Sequence, residues 1–411
     1  MTPSLLHQIL DHAHRADPYP LYEQLRATPV YHEEGGPYVV STYYEIRRLL
    51  HDPRISSDAR KLTSITRDPL AQSAQGESAL PTNFLRLDPP EHDRLRRMTN
   101  RPFGPPHCPH RVDQMRPDLH RIVSGLIDAI AEPDRIDLVE QLAYPFPVTV
   151  ICRLLGVPQE DEPRFHTWAD TVAASLDPDP DADPVTRGKA AHEARKQLGM
   201  YLAGLIEERR TKPGDDMLSA LATADSPDGA MATMELLSTA ALLLIAGHET
   251  TVNLITNGML TLLRNPHVLQ RLQADPRHAV PIVEELLRFE PPVQLLPQRT
   301  PLTDIEVGGV TIPKGASLWL ALAAGNRDPQ RFQDPDLFDP DRNDNQHLGL
   351  GSGIHSCFGA PLARLEAQLA LSELARRLDN PRLLQDPPPY RRNAVLRGPR
   401  QLRIACDEVR P

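Results

Sequence analysis

The sequence predicts a mainly α-helical fold with small antiparallel β-sheets. Helical periodicity dominates, because apolar residues recur at three- and four-residue spacing over long segments. Strand signals are short and occur in only two parts of the chain. The 411 residues contain no internal repeat, and the 43 prolines are spread along the chain without forming a low-complexity block. The predicted helices cover 111–130, 190–210, 234–264, 279–289 and 359–378.

The predicted strands lie beside pairs of adjacent glycines. A Gly-Gly pair suits a two-residue hairpin turn, because glycine accepts the positive φ angles that such turns need. After the second hairpin, Pro313 and Gly315 turn the chain into a further apolar run at 317–321. The paired segments are 30–32 with 38–41, around Gly35 and Gly36, and 304–307 with 310–312, around Gly308 and Gly309.

Composition indicates a globular protein that binds neither nucleic acid nor membranes. Hydrophobic residues make up 40% of the chain, and the net charge of −10 disfavours indiscriminate nucleic-acid binding. The most apolar stretch, residues 240–247, is far shorter than the ~20 residues of a spanning helix. The N-terminal residues lack the apolar region of a signal peptide. The four cysteines are scattered without a Cys-x-x-Cys pair, so we expect a reducing, cytoplasmic environment.

Residues 1–411 are predicted to form one domain without a membrane anchor. Two irregular segments, 56–83 and 177–184, could each be a linker between domains. However, periodic helices continue on both sides of each segment without a change in composition. Loops that carry a binding site fit this pattern better, because long ordered loops are usually functional.

One cysteine stands in an unusual setting. Gly351 and Gly353 precede Cys357, and they let the backbone turn tightly and approach a flat ligand. Cys357 comes just before the helix predicted at 359–378, whose dipole and unpaired N–H groups favour a thiolate. The alternative is a buried, inert thiol, which is the interpretation we give to Cys108, Cys152 and Cys406.

The helix predicted at 234–264 carries polar groups in an apolar middle. It is apolar on nearly every side and is therefore predicted to be buried. Glu249 and Thr250 lie at its centre, where a buried acid is costly unless it has partners. Thr250 can bond to the carbonyl one turn earlier and bend the helix, which would create a site for oxygen and water. A polar network that ties the helix to its neighbours is the alternative.

Two further motifs place charges on one face of a helix. His92 and Arg96 are four residues apart and could bind one anionic group, although a solvated basic helix is equally compatible with the local sequence. Glu285 and Arg288 are three apart, a spacing that is also common in exposed ion pairs.

Taken together, these motifs resemble those of the cytochrome P450 family, over roughly residues 19–404. The segment around Cys357 resembles the haem-binding loop, and Ala246-Gly-His-Glu-Thr250 resembles the oxygen-activating signature. One position differs, since the family usually has phenylalanine where Leu350 stands. The implied fold holds haem between the long central helix and the cysteine-loop helix. The length and the missing anchor resemble the soluble bacterial class.

The resemblance implies a role for each matching residue. Cys357 is the implied axial thiolate of haem b, and Glu249 and Thr250 are implied to deliver protons to the oxygen site. Ala246 and Gly247 would leave space above the haem, and His248 is interpreted as structural. Glu285, Arg288 and Arg342 would form a structural network. The remaining cofactor-binding residues are Gly351 and the implied haem-propionate ligands His92, Arg96, Arg299 and His355.

The resulting functional prediction is a haem-thiolate monooxygenase that inserts oxygen from O2 into a lipophilic small molecule, such as a polyketide, terpenoid or steroid. The chain has no reductase domain, so electrons would come from a ferredoxin and its reductase, with NAD(P)H acting only through them. Arg97, Arg101 and Arg364 are candidates for the docking patch. The predicted pocket walls are 56–84, 166–190, 243–249 and 293–296.

Two alternatives to this function remain. A haem-thiolate sensor or carrier would bind a ligand without turnover, but it would not need the Glu249–Thr250 pair. An enzyme with another reaction, such as phenol coupling, desaturation or peroxygenation, would keep the haem and change the chemistry.

Overall fold

The computed structural model describes residues 3–63, 82–104, 108, 110–165, 167–168, 171, 184–224 and 227–411. The predicted pocket-wall segments 56–84 and 166–190 lie largely outside these residues. The α-helices within the described part of the chain are Leu5–Leu10, Tyr19–Arg26, Tyr43–Leu50, Glu91–Asn100, Arg111–Asp128, Pro145–Leu155, Pro184–Thr211, Met217–Ala222, Thr233–Arg264, Pro266–Ala274, Ala279–Phe289, Leu322–Asn326 and Ala360–Arg377. A π-helical turn covers Val139–Ala143, and short 3-10 turns cover His12–His14, Ala59–Lys61, Phe84–Arg86, Gln159–Asp161, Pro276–His278 and Gly353–His355.

The strands form small sheets, as predicted. The largest has five strands in the order Val30–His32, Tyr38–Val40, Leu318–Leu320, Leu296–Pro301 and Ile55–Ser56. One of its pairings is parallel, between Tyr38–Val40 and Leu318–Leu320, which the sequence did not indicate. The smaller sheets are antiparallel: Arg382–Leu383, Arg403–Ala405 and Ile136–Asp137; Glu408–Val409 with Leu378–Asp379; and Ile305–Val307 with Val310–Ile312.

The helix Thr233–Arg264, called the central helix below, runs through the largest hydrophobic core. The Glu235 carboxylate accepts from the N–H of Ala232 and caps its start. Nearly every residue between Leu236 and Leu262 is buried, as its all-round apolar sequence predicts. Gly258 allows close packing, because a Cβ at this position would lie 3.0 Å from side-chain atoms of both Leu286 and Leu371.

The helix Ala360–Arg377, called the cysteine-loop helix, packs directly on the central helix through Leu371. Its first turn contains Pro361, a position where proline costs no hydrogen bond. The sequence predicted this helix at 359–378 and the helix Ala279–Phe289 at its observed bounds. The mainly helical fold with small sheets is therefore confirmed. No helix within the described residues has the length and apolar character needed to cross a bilayer.

Candidate active site

The cysteine loop, residues 349–359, is closed by backbone hydrogen bonds. The N–H of Cys357 donates to the carbonyl of Leu350 at 2.8 Å, and that of Gly351 donates to Leu348 at 2.8 Å. Gly351 has φ +67° and Gly353 has φ +70°, a region that side chains other than glycine rarely adopt. A Cβ on Gly353 would lie 2.1 Å from the carbonyl oxygen of Leu50, so this glycine is required by a neighbouring helix end as well as by its turn.

Cys357 is the one exposed cysteine of the four, all of which lie within the described residues. Cys152 and Cys406 are buried, and burial raises the pKa of Cys152 to about 12. Cys406 follows the strand Arg403–Ala405, and its N–H donates to the carbonyl of Pro133 at 2.8 Å. Only Cys357 thus combines an accessible sulfur with a position between tight turns and a helix start.

The helix start near Cys357 lowers the pKa of its thiol less than the sequence suggested. The helix begins at Ala360, three residues beyond the cysteine. Partial removal from water raises the pKa of Cys357, while the N–H of Gly359 and the guanidinium groups of Arg96 and Arg364 lower it. The raising effect is larger, so the expected thiolate is not produced by the dipole alone. A bound metal cation would supply the missing stabilisation, because coordination deprotonates a thiol.

The central helix exposes two small side chains on one face. Ala246 is exposed and Thr250 is half-buried, one turn apart, although their neighbours His248 and Glu249 are buried. The Thr250 hydroxyl donates to the carbonyl of Ala246 at 2.8 Å, which confirms the bond predicted from the sequence. The face defined by Ala246 and Thr250 therefore borders accessible space within a helix that is otherwise almost fully buried.

Gly247 does not belong to this open face. A Cβ on Gly247 would lie 2.9 Å from Cδ1 of Ile151, in the helix Pro145–Leu155. The prediction that Gly247 leaves space above a haem is therefore wrong, because its missing side chain accommodates a neighbouring helix. His248 packs edge-on against the ring of Tyr144 with centroids 4.4 Å apart, in agreement with a structural role.

The buried acid of the central helix has a partner that the sequence did not reveal. Arg391 donates from Nη1 to Oε1 of Glu249 at 3.0 Å, and the Glu249 side chain is only 8% exposed. An ion pair of this kind offsets the cost of burying the carboxylate. The two residues are 142 positions apart, so no local spacing could have indicated their contact.

Four predicted cofactor ligands come together beside the cysteine loop. The rings of His92 and His355 have centroids 4.4 Å apart, and Arg96 donates to the carbonyl of Ser356 at 2.7 Å. Arg299 is buried and close enough to influence the ionisation of His355. The helix Glu91–Asn100 places His92 and Arg96 on one face, as the four-residue spacing predicted.

Among the described residues, the one carboxylate in direct contact with this basic cluster is that of Asp93, which binds Nδ1 of His92 at 2.8 Å. Burial, followed by the charges of Arg299, His92 and Arg96, lowers the pKa of His355 to about 3. Burial, followed by the charge of Arg86, lowers the pKa of Arg299 to about 10. The buried Nε2 of His92 and Nδ1 of His355 have no hydrogen-bond partner among the described residues. Buried ring nitrogens without partners, beside the guanidinium groups of Arg96 and Arg299, fit a ligand that carries carboxylates.

The Glu285–Arg288 pair is fully buried. Arg288 binds Glu285 through two parallel hydrogen bonds of 2.9 and 2.7 Å, and both side chains have no exposed surface. Arg342 approaches the same carboxylate at 3.6 Å and donates to backbone carbonyls of residues 333–337. Arg288 also binds the carbonyls of Asn326, Pro335 and Leu337. The network therefore joins the helix Ala279–Phe289 to the irregular segment before the cysteine loop.

The three arginines predicted as a docking patch all have carboxylate partners. Arg97 and Arg101 lie 2.9 and 3.9 Å from Asp228, and Arg364 binds Glu284 through contacts of 2.6 and 2.9 Å. These acids neutralise much of the positive charge, so the patch is less basic than the sequence suggested.

Comparison with known proteins agrees with this geometry. The cytochrome P450 family model matches residues 63–405. The chain is 42% identical to cytochrome P450 monooxygenase PikC of Streptomyces venezuelae over 401 residues, 95% of this chain and 91% of that protein. The chain belongs to the cytochrome P450 family. It is also 35% identical to 6-deoxyerythronolide B hydroxylase of Saccharopolyspora erythraea over 402 residues, 95% of this chain and 96% of that protein.

A solved P450 structure confirms the fold. Ligand-free CYP164A2 of Mycobacterium smegmatis superimposes with a TM-score of 0.85 at 41% identity, covering 98% of this chain and 99% of that one. P450 proteins bind haem with a cysteine thiolate as axial ligand, so haem is the cofactor of this protein. The accessible sulfur of Cys357 fits the iron of that group. Its two carboxylates fit Nε2 of His92 and Nδ1 of His355, which have no hydrogen-bond partner among the described residues.

Replacing Arg299 with glutamine is expected to weaken haem binding and to stabilise the protein that lacks haem. Loss of a charged hydrogen-bond donor to a haem carboxylate should speed haem transfer to excess apomyoglobin roughly tenfold. The apoprotein should unfold at a higher temperature, because one buried cation of a like-charged cluster has been removed. Arg277→Gln, at a side chain that is 90% exposed, is the control. An unchanged rate of haem transfer in R299Q would contradict the assignment of Arg299 to the cofactor site.

Proposed function

We propose that this protein is an O2-dependent monooxygenase that hydroxylates or epoxidises a lipophilic small molecule. The overall reaction consumes the substrate, O2, two electrons and two protons, and it releases the oxidised product and water. The observation that carries this proposal is the placement of Thr250 on the open face of the central helix, directly after the buried acid Glu249. Bound haem supplies the redox-active iron, with Cys357 as its proposed ligand.

The side chains have separate proposed roles. Ala246 has a small, exposed side chain, which leaves room for O2 and substrate beside the helix. Thr250 holds its hydroxyl by donating to the Ala246 carbonyl, which leaves the oxygen lone pairs available to water. Glu249 takes protons from solvent and passes them toward Thr250. His92, Arg96, Arg299 and His355 orient the cofactor through its carboxylates, and the turn at Gly351 shapes the cysteine loop.

The proposed substrate class is an oxygen-bearing lipophilic metabolite, with polyketides first. Support comes from the names of relatives, which include 6-deoxyerythronolide B hydroxylase and a polyketide biosynthesis P450 of Bacillus subtilis. Another relative is a vitamin D(3) 25-hydroxylase of Pseudonocardia autotrophica, so steroids follow as the second class. A titration that records the shift of the haem absorption band on water displacement would rank 6-deoxyerythronolide B against vitamin D3.

We further propose that a ferredoxin and its reductase supply the electrons. The patch of Arg97, Arg101 and Arg364 stays the proposed docking surface, although its charges are largely paired. If the partner docks on this patch, the rate of first-electron transfer falls as salt is added. A rate independent of ionic strength would contradict it. We also propose a cytoplasmic location, because none of the four cysteines forms a disulfide.

Replacing Thr250 with alanine is expected to divert electrons from product to peroxide. Without the hydroxyl, water at the oxygen site loses a hydrogen-bond partner and proton delivery is misdirected. The measurement compares product, peroxide and NADPH consumed, with a surrogate ferredoxin and reductase, and with whichever of the two probe compounds shifts the haem band. Thr250→Ser should retain most of the coupling. Equal coupling in T250A would refute the role of Thr250, and no product with any redox partner would favour a sensor or carrier.

A further inference from the structure

Three polar residues of the central helix form a stripe that faces one loop. Glu249, Asn253 and Asn257 follow each other at four-residue spacing, so they lie on one side of the helix. All three are buried, with 6%, 0% and 2% of the whole residue exposed, respectively. The loop they face covers residues 390–399 and is called the C-terminal loop here. Its ends are joined by a bridge between Tyr390 and Pro399.

The C-terminal loop contacts each member of the stripe. Arg391 binds Glu249 at 3.0 Å, and the side-chain amide of Asn257 donates to the carbonyl of Arg397 at 3.0 Å. Between them, a Cβ on Gly398 would lie 2.1 Å from Oδ1 of Asn253, so the loop backbone rests on that side chain. These contacts fix the position of Arg391 relative to the central helix.

The other side of the C-terminal loop reaches a predicted pocket wall. Leu396 forms a bridge with Val293, and the N–H of Gln294 donates to the carbonyl of Val395 at 2.8 Å. The segment 293–296 is one of the pocket walls predicted from the sequence. A single loop thus connects this wall to the acid of the central helix.

The hold of Arg391 on Glu249 is incomplete. Its guanidinium makes one hydrogen bond to the carboxylate, through Nη1, where a bidentate pair would make two. Its Nε is buried without a hydrogen-bond partner among the described residues. The Arg391 side chain remains 20% exposed, so water can replace the carboxylate as its partner. The Glu285–Arg288 pair, by contrast, is bidentate and fully buried.

We propose that Arg391 is a positioning residue for proton delivery. It anchors the Glu249 carboxylate between transfers, and it releases the carboxylate when Glu249 accepts a proton from water. Glu249 then gives that proton toward Thr250 and returns as a carboxylate to Arg391. This inference rests on the proposed monooxygenase function, in which Glu249 carries the protons.

The test uses the holoenzyme variants Arg391→Gln and Arg391→Lys, with O2 itself as the probe. Arg400→Gln is the matched control, because Arg400 lies just after the same loop and its exposed side chain makes no described contact. O2 consumption driven by NADPH through a surrogate ferredoxin and reductase is measured in H2O and D2O. R391Q is expected to consume O2 about tenfold more slowly, equivalent to one lost charged hydrogen bond, with a larger solvent isotope effect.

The conservative variant separates positioning from packing. R391K keeps a cation beside Glu249 and should recover most of the rate and the wild-type isotope effect. The proposal is overturned if R391Q matches R400Q in both measurements, or if R391K is as impaired as R391Q. Where R391Q does not retain haem, Arg391→Met repeats the comparison with the aliphatic stem preserved. A wild-type protein that consumes no O2 would instead overturn the proposed function.

Discussion

A protein with serine in place of Cys357 is expected to lose the red-shifted Soret band that a thiolate ligand gives the reduced carbon monoxide complex. Serine has the size and position of cysteine, but its hydroxyl is a poor ligand and donates little electron density. Turnover should fall to background, because this donation favours cleavage of the O–O bond. The haem carboxylate ligands are unchanged, so C357S should still bind haem, although with lower affinity.

Cys406→Ser is the matched control for this experiment. Cys406 is buried directly after the strand Arg403–Ala405, and its N–H donates to the carbonyl of Pro133. The C406S protein should keep the thiolate spectrum, and any change should be limited to stability. A thiolate spectrum in C357S, or its loss in C406S, would contradict the assignment of the ligand.

Replacing Glu285 with glutamine is expected to lower the free energy of unfolding by about 3–5 kcal/mol. The substitution keeps the shape of the side chain but leaves the Arg288 guanidinium buried without its countercharge. Glu285 also accepts from the N–H of Asp339 at 2.9 Å and from Asn345 at 3.1 Å. Loss of the network should therefore loosen the segment before the cysteine loop. Chemical denaturation of the apoprotein measures the effect.

Glu45→Gln provides a control with the same spacing and nearly the same distance. Glu45 and Arg48 are also three apart, with a contact of 2.8 Å, but their side chains are 29% and 43% exposed. Solvent screening should limit the cost of E45Q to less than about 1 kcal/mol. A similar loss in the free energy of unfolding for E285Q and E45Q would show that burial does not make the Glu285–Arg288 pair more important for stability.

Local patterns predicted the elements that carry the site. The apolar periodicity of the central helix, the turn glycines around Cys357 and the spacing of His92 and Arg96 each correspond to an observed feature. Each of these signals depends on residues within a few positions of one another, so the chain itself displays them. The family resemblance then indicated that Arg299 and His355 belong with His92.

Contacts between distant segments could not be predicted in this way. The sequence showed that Glu249 needs a partner, but it offered 45 basic residues and no rule that selects Arg391. The parallel pairing of Tyr38–Val40 with Leu318–Leu320 and the contact of Gly247 with Ile151 are likewise set by tertiary packing. The pKa of the Cys357 thiol is likewise set by tertiary structure, because burial raises it by more than the Gly359 N–H, Arg96 and Arg364 lower it.

Anomalous diffraction at the iron absorption edge, from crystals of the haem-loaded protein, tests the central assignment most directly. One strong peak is expected at bonding distance from the sulfur of Cys357, on the side that faces Ala246 and Thr250 of the central helix. The haem carboxylates are expected within hydrogen-bonding distance of His92, Arg96, Arg299 and His355. An iron peak beside another cysteine, or one whose ligand is not sulfur, would contradict the assignment of Cys357 as the iron ligand.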